Sequence, residues 1–274
     1  MLKRIITGAG YVVVMVAFFL LRELVDTRIF HALTCFLTVV GVMETAKMLK
    51  PFTVKGTTVL SITVSVLFVL AYLVLDYFFN GYGWLYAVDV IAFAVIGLSV
   101  YCIIKCVSTK TFLLSCIPLV YPTLLLLFML LSNDRADYGF IILLLSFVIS
   151  PLSDTFAYFV GSLIGGKKLC PKISPKKTWS GAIGGTVGGG LGGLIVYLIF
   201  KPQINFFSPV LFFIIIGLMA SIVNIFGDLT ESYLKRKCGV KDSGKILPGH
   251  GGILDRIDGT SFVVPFIYLL FLLV

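Results

Sequence analysis

Charged side chains are scarce in this sequence. Only 13% of its 274 residues are Asp, Glu, Lys or Arg, whereas 59% are apolar and the mean hydropathy is +1.07. Soluble globular proteins contain about 25% charged residues, so the composition excludes that class and predicts an integral membrane protein. The net charge is +9, but the sequence has no soluble segment that would present a basic face. We therefore expect no nucleic-acid partner.

Patterns for zinc binding and covalent catalysis are also missing. The six cysteines include no CxxC pair, and three of them lie inside apolar runs, so we expect neither zinc nor disulfides. The two histidines form no Ser-His-Asp or Cys-His arrangement with other residues of the sequence. No enzyme nucleophile is therefore evident.

Long apolar runs are abundant. Each run of about 20 residues can cross a bilayer, and the sequence contains nine of them. The predicted fold class is therefore all-α, a polytopic membrane protein with about nine transmembrane helices. The spans are predicted at residues 5–21, 29–49, 57–79, 84–104, 111–131, 138–161, 181–200, 208–228 and 253–274.

The basic residues predict the orientation. With a cytoplasmic N-terminus, 18 of the 22 lysines and arginines fall on the cytoplasmic side of the nine spans. We also predict two regions. Residues 1–135 would be a scaffold, with Glu44, Asp76 and Asp89 as its few intramembrane acids and a surface for a homodimer. Residues 136–274 would form the catalytic region, which has two basic cytoplasmic loops.

Eight glycines lie between Gly181 and Gly193 in the seventh predicted span. Glycines three and four residues apart let helix backbones approach closely in lipid, so we expect this helix to be a packing element. The alternative is a loop that cradles phosphate. A P-loop ends in Lys-Ser or Lys-Thr, which this run lacks.

Acidic residues cluster near the C-terminal end. Asp228, Glu231, Ser232 and Lys235 have the i, i+3, i+4 and i+7 spacing of one helix face. The acids could pair with neighbouring lysines. However, Asp242, Asp255 and Asp258 follow, and clustered carboxylates repel one another unless cations lie between them. A hard divalent ion such as Mg²⁺ suits these oxygen ligands, so we expect magnesium.

Basic residues are equally dense around these acids. They could set the membrane topology, or they could bind phosphate beside the acids. His250 lies in a Pro-Gly-His-Gly-Gly turn, and its roles as general base and as hydrogen-bond donor both stay open. The basic residues are Lys167, Lys168, Lys172, Lys176, Lys177, Lys235, Arg236, Lys237, Lys241, Lys245 and Arg256.

Three blocks of sequence carry a family resemblance. The first block includes Asp154, Ala157, Tyr158, Gly161, Gly165 and the run Ser174-Pro175-Lys176-Lys177-Thr178-Trp179, and the second is Gly227-Asp228-Leu229 with Glu231-Ser232. The third block runs from Ser232 through Lys241-Asp242 to PGHGGILDRID at 248–258. Together they resemble the phosphatidate cytidylyltransferases, or CDP-diacylglycerol synthases. One departure is Ser180, where the family pattern has glutamate.

The resemblance implies transfer of a cytidylyl group from CTP to phosphatidic acid at the cytoplasmic face of the inner membrane, by a multi-pass protein that forms a homodimer. It implies that Asp228 and Asp255 hold Mg²⁺. Further candidates to bind the metal or to surround its ligands are Asp154, Glu231, Asp242 and Asp258. The family also allows a monovalent cation such as K⁺, which no residue here requires. Expected catalytic residues are Asp228, Asp255, Lys235, Arg236, Lys241, Asp242, His250 and Arg256. Expected substrate-binding residues are Asp154, Tyr158, Ser174, Lys176, Lys177, Thr178, Ser232, Gly251 and Gly252.

Two other functions fit parts of the pattern. A lipid kinase, or a cytidylyltransferase acting on another lipid phosphate, would use the same acids and basic loops. A transporter would also place acids in the membrane. In this sequence, however, the charged residues are concentrated at one predicted face of the membrane and are rare within the spans. This distribution argues against transport.

Overall fold

The computed structural model describes residues 2–79, 83–247 and 251–274. These residues form ten α-helices, one 3₁₀ turn and one two-stranded sheet, so the predicted all-α class is confirmed apart from a short hairpin. His250 lies outside the described residues, as do Pro248 and Gly249. The elements are α1 (Leu2–Leu24), α2 (Arg28–Leu49), the 3₁₀ turn (Lys50–Phe52), α3 (Thr57–Phe79), α4 (Gly83–Ile104), α5 (Thr109–Val120), α6 (Thr123–Asp134), α7 (Gly139–Ile164), β1 (Lys168–Cys170), β2 (Ser174–Thr178), α8 (Trp179–Phe200), α9 (Pro209–Lys237) and α10 (Leu254–Phe271).

Seven helical stretches within the described residues are long and apolar enough to cross a membrane. This number is close to the nine predicted spans. Helix α10 is not one of these seven, since its 18 residues include three charged ones, Asp255, Arg256 and Asp258. The cytoplasmic location of the N-terminus stays a prediction.

The predicted span at 111–131 is two helices, α5 and α6, separated at Tyr121 and Pro122. Pro122 has no amide hydrogen to donate within a helix, and it disfavours helical geometry in the residue before it. Tyr121 accordingly has extended backbone angles, with φ −104° and ψ 130°. The hydropathy pattern does not reveal this break, because both helices are apolar.

The described chain divides into two compact units. The first unit consists of Met1–Leu131 and Asp242–Asp255, and the second of Ser132–Lys241 and Arg256–Val274. The predicted functional division after residue 135 stays a prediction. These units follow a different boundary, since the segment 242–255 belongs with the N-terminal helices.

Large apolar side chains form the core of the first unit. Phe68 and Tyr72 of α3 are buried in one cluster with Ala87 of α4 and Leu119 of α5. The loop before α3 is attached to this core by the amide of Val54, which donates to Ser115 Oγ at 3.0 Å. The first unit therefore packs mainly through side chains of substantial size.

Glycines bring α7, α8 and α9 together in the second unit. A Cβ on Gly185 would lie 2.9 Å from the Ser153 carbonyl oxygen of α7, and one on Gly193 would overlap the Phe213 carbonyl of α9. Gly189 and Gly217 meet in the same way between α8 and α9. The predicted packing role of the glycine-rich helix is thus confirmed.

The first basic loop contains the hairpin. Strands β1 and β2 are antiparallel, and Lys168 pairs with Thr178. Thr178 then begins α8, because its Oγ1 accepts a hydrogen bond from the Gly181 amide at 3.1 Å, which is the usual role of an N-cap threonine. This arrangement fixes the lysines just before Thr178 to the start of a transmembrane helix.

Candidate active site

Helix α9 carries the predicted polar face in its last three turns. It continues to Lys237, beyond the predicted end at residue 228, so Asp228, Glu231, Ser232 and Lys235 are all helical. Ser232 Oγ donates to Asp228 Oδ1 at 3.1 Å, and Lys235 Nζ lies 3.3 Å from Glu231 Oε1. Both contacts join residues four apart, as the predicted common face requires.

A close crossing of α9 and α10 places a second acid beside this face. A Cβ on Gly227 would lie 3.0 Å from the Asp258 carbonyl oxygen, and Gly259 has no room for a side chain against Asn224. The carboxyl groups of Glu231 and Asp258 lie close enough to interact across this crossing. The glycines therefore have a local function, which is to let two acid-bearing helices touch.

Asp154 of α7 joins the same region through an asparagine. The Nδ2 group of Asn224 donates to Asp154 Oδ1 at 2.9 Å, and Asn224 is only 1% exposed. Asp154 and Asp258 both lie close enough to Asp228 for their charges to repel it. We call Asp154, Asp228 and Asp258 the acidic group.

Lys177 supplies a positive charge to the acidic group. Its Nζ lies 2.5 Å from Asp228 Oδ2, and the two side chains are 25% and 27% exposed. The position of Lys177 follows from the hairpin, because the next residue, Thr178, caps α8. Pairing of the α9 acids with lysines is thus observed, although the partner of Asp228 comes from the distant hairpin.

The signature loop, which we define as residues 242–255, belongs to the first unit. Within it, Asp255 Oδ2 accepts hydrogen bonds from the Ser243 amide at 2.9 Å, from Ser243 Oγ at 2.9 Å and from the Gly252 amide at 2.8 Å. Gly251 has φ +84°, a left-handed conformation that favours glycine. In the described residues Asp255 therefore organises the loop around it.

Glu44 of α2 binds the same loop. Its carboxylate accepts hydrogen bonds from the amides of Ile253 and Leu254 at 3.2 and 2.9 Å. The sequence led us to expect scaffold or lipid-facing helices in this half of the chain, but Glu44 is buried inside the first unit. No local spacing links residue 44 to residue 253, so the sequence pattern could not reveal this contact.

The remaining predicted site residues are more exposed than Glu231 and Lys235. Tyr158 is 71% exposed, and one guanidinium nitrogen of Arg236 donates to the Val240 carbonyl at 3.1 Å. Ser180, where the family pattern has glutamate, donates from Oγ to the Gly165 carbonyl. Ser174 starts β2, and Lys176, Lys241, Asp242 and Arg256 point their side chains to the outside.

The whole chain matches a known family. The model described as the cytidylyltransferase family aligns with residues 2–274. The chain belongs to the cytidylyltransferase family.

Its relatives in this family include bacterial proteins named phosphatidate cytidylyltransferase. That of Brucella abortus biovar 1 (strain 9-941) is 43% identical over 141 residues, which cover 51% of this chain and 50% of the relative. That of Bacillus subtilis (strain 168) is 43% identical over 134 residues, covering 49% and 48%. That of Haemophilus influenzae is 40% identical over 129 residues, covering 47% and 45%. The chain thus spans about half the length of the curated relatives it matches.

The donors of this cytidylyltransferase-family chain are those that a hard cation prefers. Asp154, Asp228 and Asp258 offer carboxylate oxygens, and the structure places Lys177 against one of them. Among the described residues, no group of three or more His, Cys, Asp or Glu side chains is placed so that it could hold a metal ion by itself. Magnesium is commonly held by one or two carboxylates, with substrate phosphates supplying further ligands.

Proposed function

We propose that the chain is a membrane-bound phosphatidate cytidylyltransferase, which converts CTP and phosphatidic acid into CDP-diacylglycerol and pyrophosphate. An oxygen of the lipid phosphate attacks the α-phosphorus of CTP and forms the new phosphorus–oxygen bond. The bond from the α-phosphorus to the oxygen that bridges to the β-phosphorus breaks, and pyrophosphate leaves. The lipid phosphate is itself the nucleophile, so the reaction needs none from the protein.

The observation that carries this proposal is the acidic group with Lys177 beside it. Phosphoryl and nucleotidyl transfer depend mainly on positioning and on neutralising phosphate charge. Lys177 Nζ, 2.5 Å from Asp228 Oδ2, puts a cationic group next to the carboxylates of the acidic group. The names of the bacterial relatives support the choice of substrates.

Magnesium is the proposed cofactor, because it prefers carboxylate oxygens such as those of Asp228. Asp228 would hold the ion together with substrate phosphates, and Asp154 and Asp258 would accept hydrogen bonds from its water molecules. When bound, Mg²⁺ neutralises phosphate charge as bonds form and break. Glu231 is already paired with Lys235. The metal roles of Glu231 and Asp255, and the presence of a second, monovalent cation, stay predictions.

The lysines and arginines have two proposed tasks. Lys176 and Lys177 would bind the triphosphate from the hairpin, because their position beside the cap of α8 is fixed. Arg236, Lys241 and Arg256 have exposed side chains, which suits long cationic groups that reach for lipid or nucleotide phosphates. Lys235 contributes less directly, because it is buried and pairs with Glu231.

The proposed location is the inner membrane, with the site on the cytoplasmic face. The support is the distribution of lysines and arginines, which predicts that both basic loops face the cytoplasm. CTP is water-soluble and phosphatidic acid resides in the bilayer, so a site at this face can receive both. A homodimer is also proposed, through the apolar N-terminal helices.

Turnover by the purified protein tests the proposal. The reaction contains phosphatidic acid vesicles, a Mg²⁺ titration and CTP labelled at either the α- or the γ-phosphate. We expect the α-label to enter the lipid and the γ-label to leave as pyrophosphate, with no turnover when EDTA removes Mg²⁺. Transfer of the γ-label to lipid would instead identify a lipid kinase, and ion flux into vesicles without CTP would identify a transporter.

A further inference from the structure

Glu44 is a buried carboxylate in the half of the chain that carries none of the family motifs. It lies within α2 and is only 2% exposed. A carboxylate removed from water costs several kcal/mol unless hydrogen bonds or charges compensate it. Its retention inside the first unit therefore calls for a specific set of partners.

The start of α10 provides two of these partners. The Ile253 amide donates to Glu44 Oε1 at 3.2 Å, and the Leu254 amide donates to Oε2 at 2.9 Å. Helix α10 begins at Leu254, and the first amides of a helix have no carbonyl partner within it. A negative charge at this end also interacts favourably with the helix dipole. Glu44 thus caps α10 from another helix.

The signature loop is shaped around the same carboxylate. A Cβ on Gly244 or on Gly252 would overlap Glu44, so both positions require glycine while Glu44 is in place. Ser243 Oγ lies 3.3 Å from Glu44 Oε2 and 2.9 Å from Asp255 Oδ2. A hydroxyl has one hydrogen, so Ser243 Oγ can donate to Glu44 or to Asp255 but not to both at once. Ser243 therefore lies between the two carboxylates and is in contact with each.

We propose that Glu44 is a positioning residue for the transfer reaction, which acts by holding the signature loop and the first turn of α10. Its effect passes through Ser243 and Gly252, which contact both Glu44 and Asp255. The inference rests on the proposed function, since it concerns the same reaction. It extends that function to α2, which contributes to catalysis without touching substrate.

Three variants test this role. Glu44→Ala removes every contact, whereas Glu44→Gln keeps the size and one acceptor oxygen but turns an NH₂ group toward a backbone amide. We expect kcat to fall about 100-fold in the alanine variant and about tenfold in the glutamine variant, with KM for CTP changed by less than about threefold. Thr45→Val is the matched control, because Thr45 is buried in the same helix and donates only to the Gly41 carbonyl. Its turnover should stay within about twofold of wild type.

Amide hydrogen exchange supplies a second readout that does not depend on turnover. In detergent-solubilised Glu44→Ala, the peptide containing Ile253 and Leu254 should exchange faster, because its amides have lost their acceptors. Peptides from Phe213 to Ala220 of α9 should exchange as in wild type. If the alanine variant does not fold, turnover and hydrogen exchange are both measured on the glutamine variant.

The two proposals fail in different ways. Wild-type exchange at Ile253 and Leu254, or a kcat within about twofold of wild type in folded Glu44→Ala, would overturn the role of Glu44. A fall in folded protein with unchanged kcat per folded molecule would also overturn it, because that result describes stability alone. If the wild-type chain itself had no turnover with CTP and phosphatidic acid, the proposed function would fall, and hydrogen exchange alone would decide whether Glu44 holds the loop.

Discussion

The two units use carboxylates in opposite ways. In the second unit, Asp228 and Glu231 pair with the charged side chains of Lys177 and Lys235. In the first unit, Glu44 and Asp255 accept hydrogen bonds from backbone amides and from the Ser243 hydroxyl. Of these two ion pairs, the one between Lys177 and Asp228 is partly exposed and can exchange a partner for a ligand. A carboxylate that holds backbone amides cannot do so without moving the loop. The comparison separates acids that are suited to binding a ligand from acids that are suited to holding the conformation of a loop.

Asp228→Asn should have the largest effect on turnover. The amide removes the charge that pairs with Lys177 and would hold the cation, and such electrostatic interactions contribute several kcal/mol to the transition state. We expect kcat with CTP, phosphatidic acid and Mg²⁺ to fall by about 10³-fold. The control is Asp89→Asn, an exposed acid on α4, which should be near wild type. Equal losses in the two variants would remove Asp228 from the mechanism.

Asp255→Asn should follow, with a loss of about 10²-fold in kcat. An amide group replaces one of the acceptor oxygens that Ser243 and Gly252 use, so the signature loop should loosen. Limited proteolysis measures this change, because Lys245 in the loop is an exposed trypsin site. Cleavage after Lys245 should be faster in Asp255→Asn and unchanged in Asp228→Asn. Similar cleavage in both variants would contradict the distinction between the two acids.

Gly193→Ala should affect stability instead of chemistry. Its Cβ would overlap the Phe213 carbonyl, a backbone group that cannot rotate away, and overpacking of this kind costs about 1–3 kcal/mol. We expect Tm in detergent to fall by about 5 °C. Gly97→Ala is the matched control, since a Cβ at Gly97 of α4 meets no atom within 4 Å. An unchanged Tm in Gly193→Ala would refute the packing role of these glycines.

Lys177→Met should have the smallest of the four effects. The ion pair with Asp228 is partly exposed, so its loss should change the free energy of unfolding by less than about 1 kcal/mol. A phosphate-binding role predicts instead a rise of about tenfold in KM for CTP, which corresponds to one charged hydrogen bond. Lys110→Met, at an exposed lysine near the start of α5, should leave KM unchanged. A matching rise in both variants would assign the effect to overall charge.

Sequence periodicity predicted the parts that depend on neighbouring residues. The polar face of α9 follows from the spacing of Asp228, Glu231 and Lys235, and the close packing of α8 follows from its repeated glycines. The membrane class follows from composition. Each of these features is local, so a single helix contains all the information that is needed.

The contacts that sequence reasoning missed join distant segments. Asn224 holds Asp154 across 70 positions, and Glu44 binds Leu254 across 210. One signal for Asn224 was present, since it precedes Asp228 by one helical turn on the same face of an apolar helix. The hairpin was also missed, because its strands have only three and five residues and lack the alternating apolar pattern of a typical strand.

Helix α9 is longer than the hydrocarbon layer of a membrane is thick. It spans 29 residues, or about 43 Å at about 1.5 Å per residue, whereas the hydrocarbon layer is about 30 Å thick. If the helix enters the hydrocarbon layer at Pro209 and runs along the membrane normal, that thickness ends near Asp228 and the last two and a half turns lie in the headgroup zone. At that depth a nucleotide can approach the end of α9 from water. The phosphate groups of the lipids lie at the same depth.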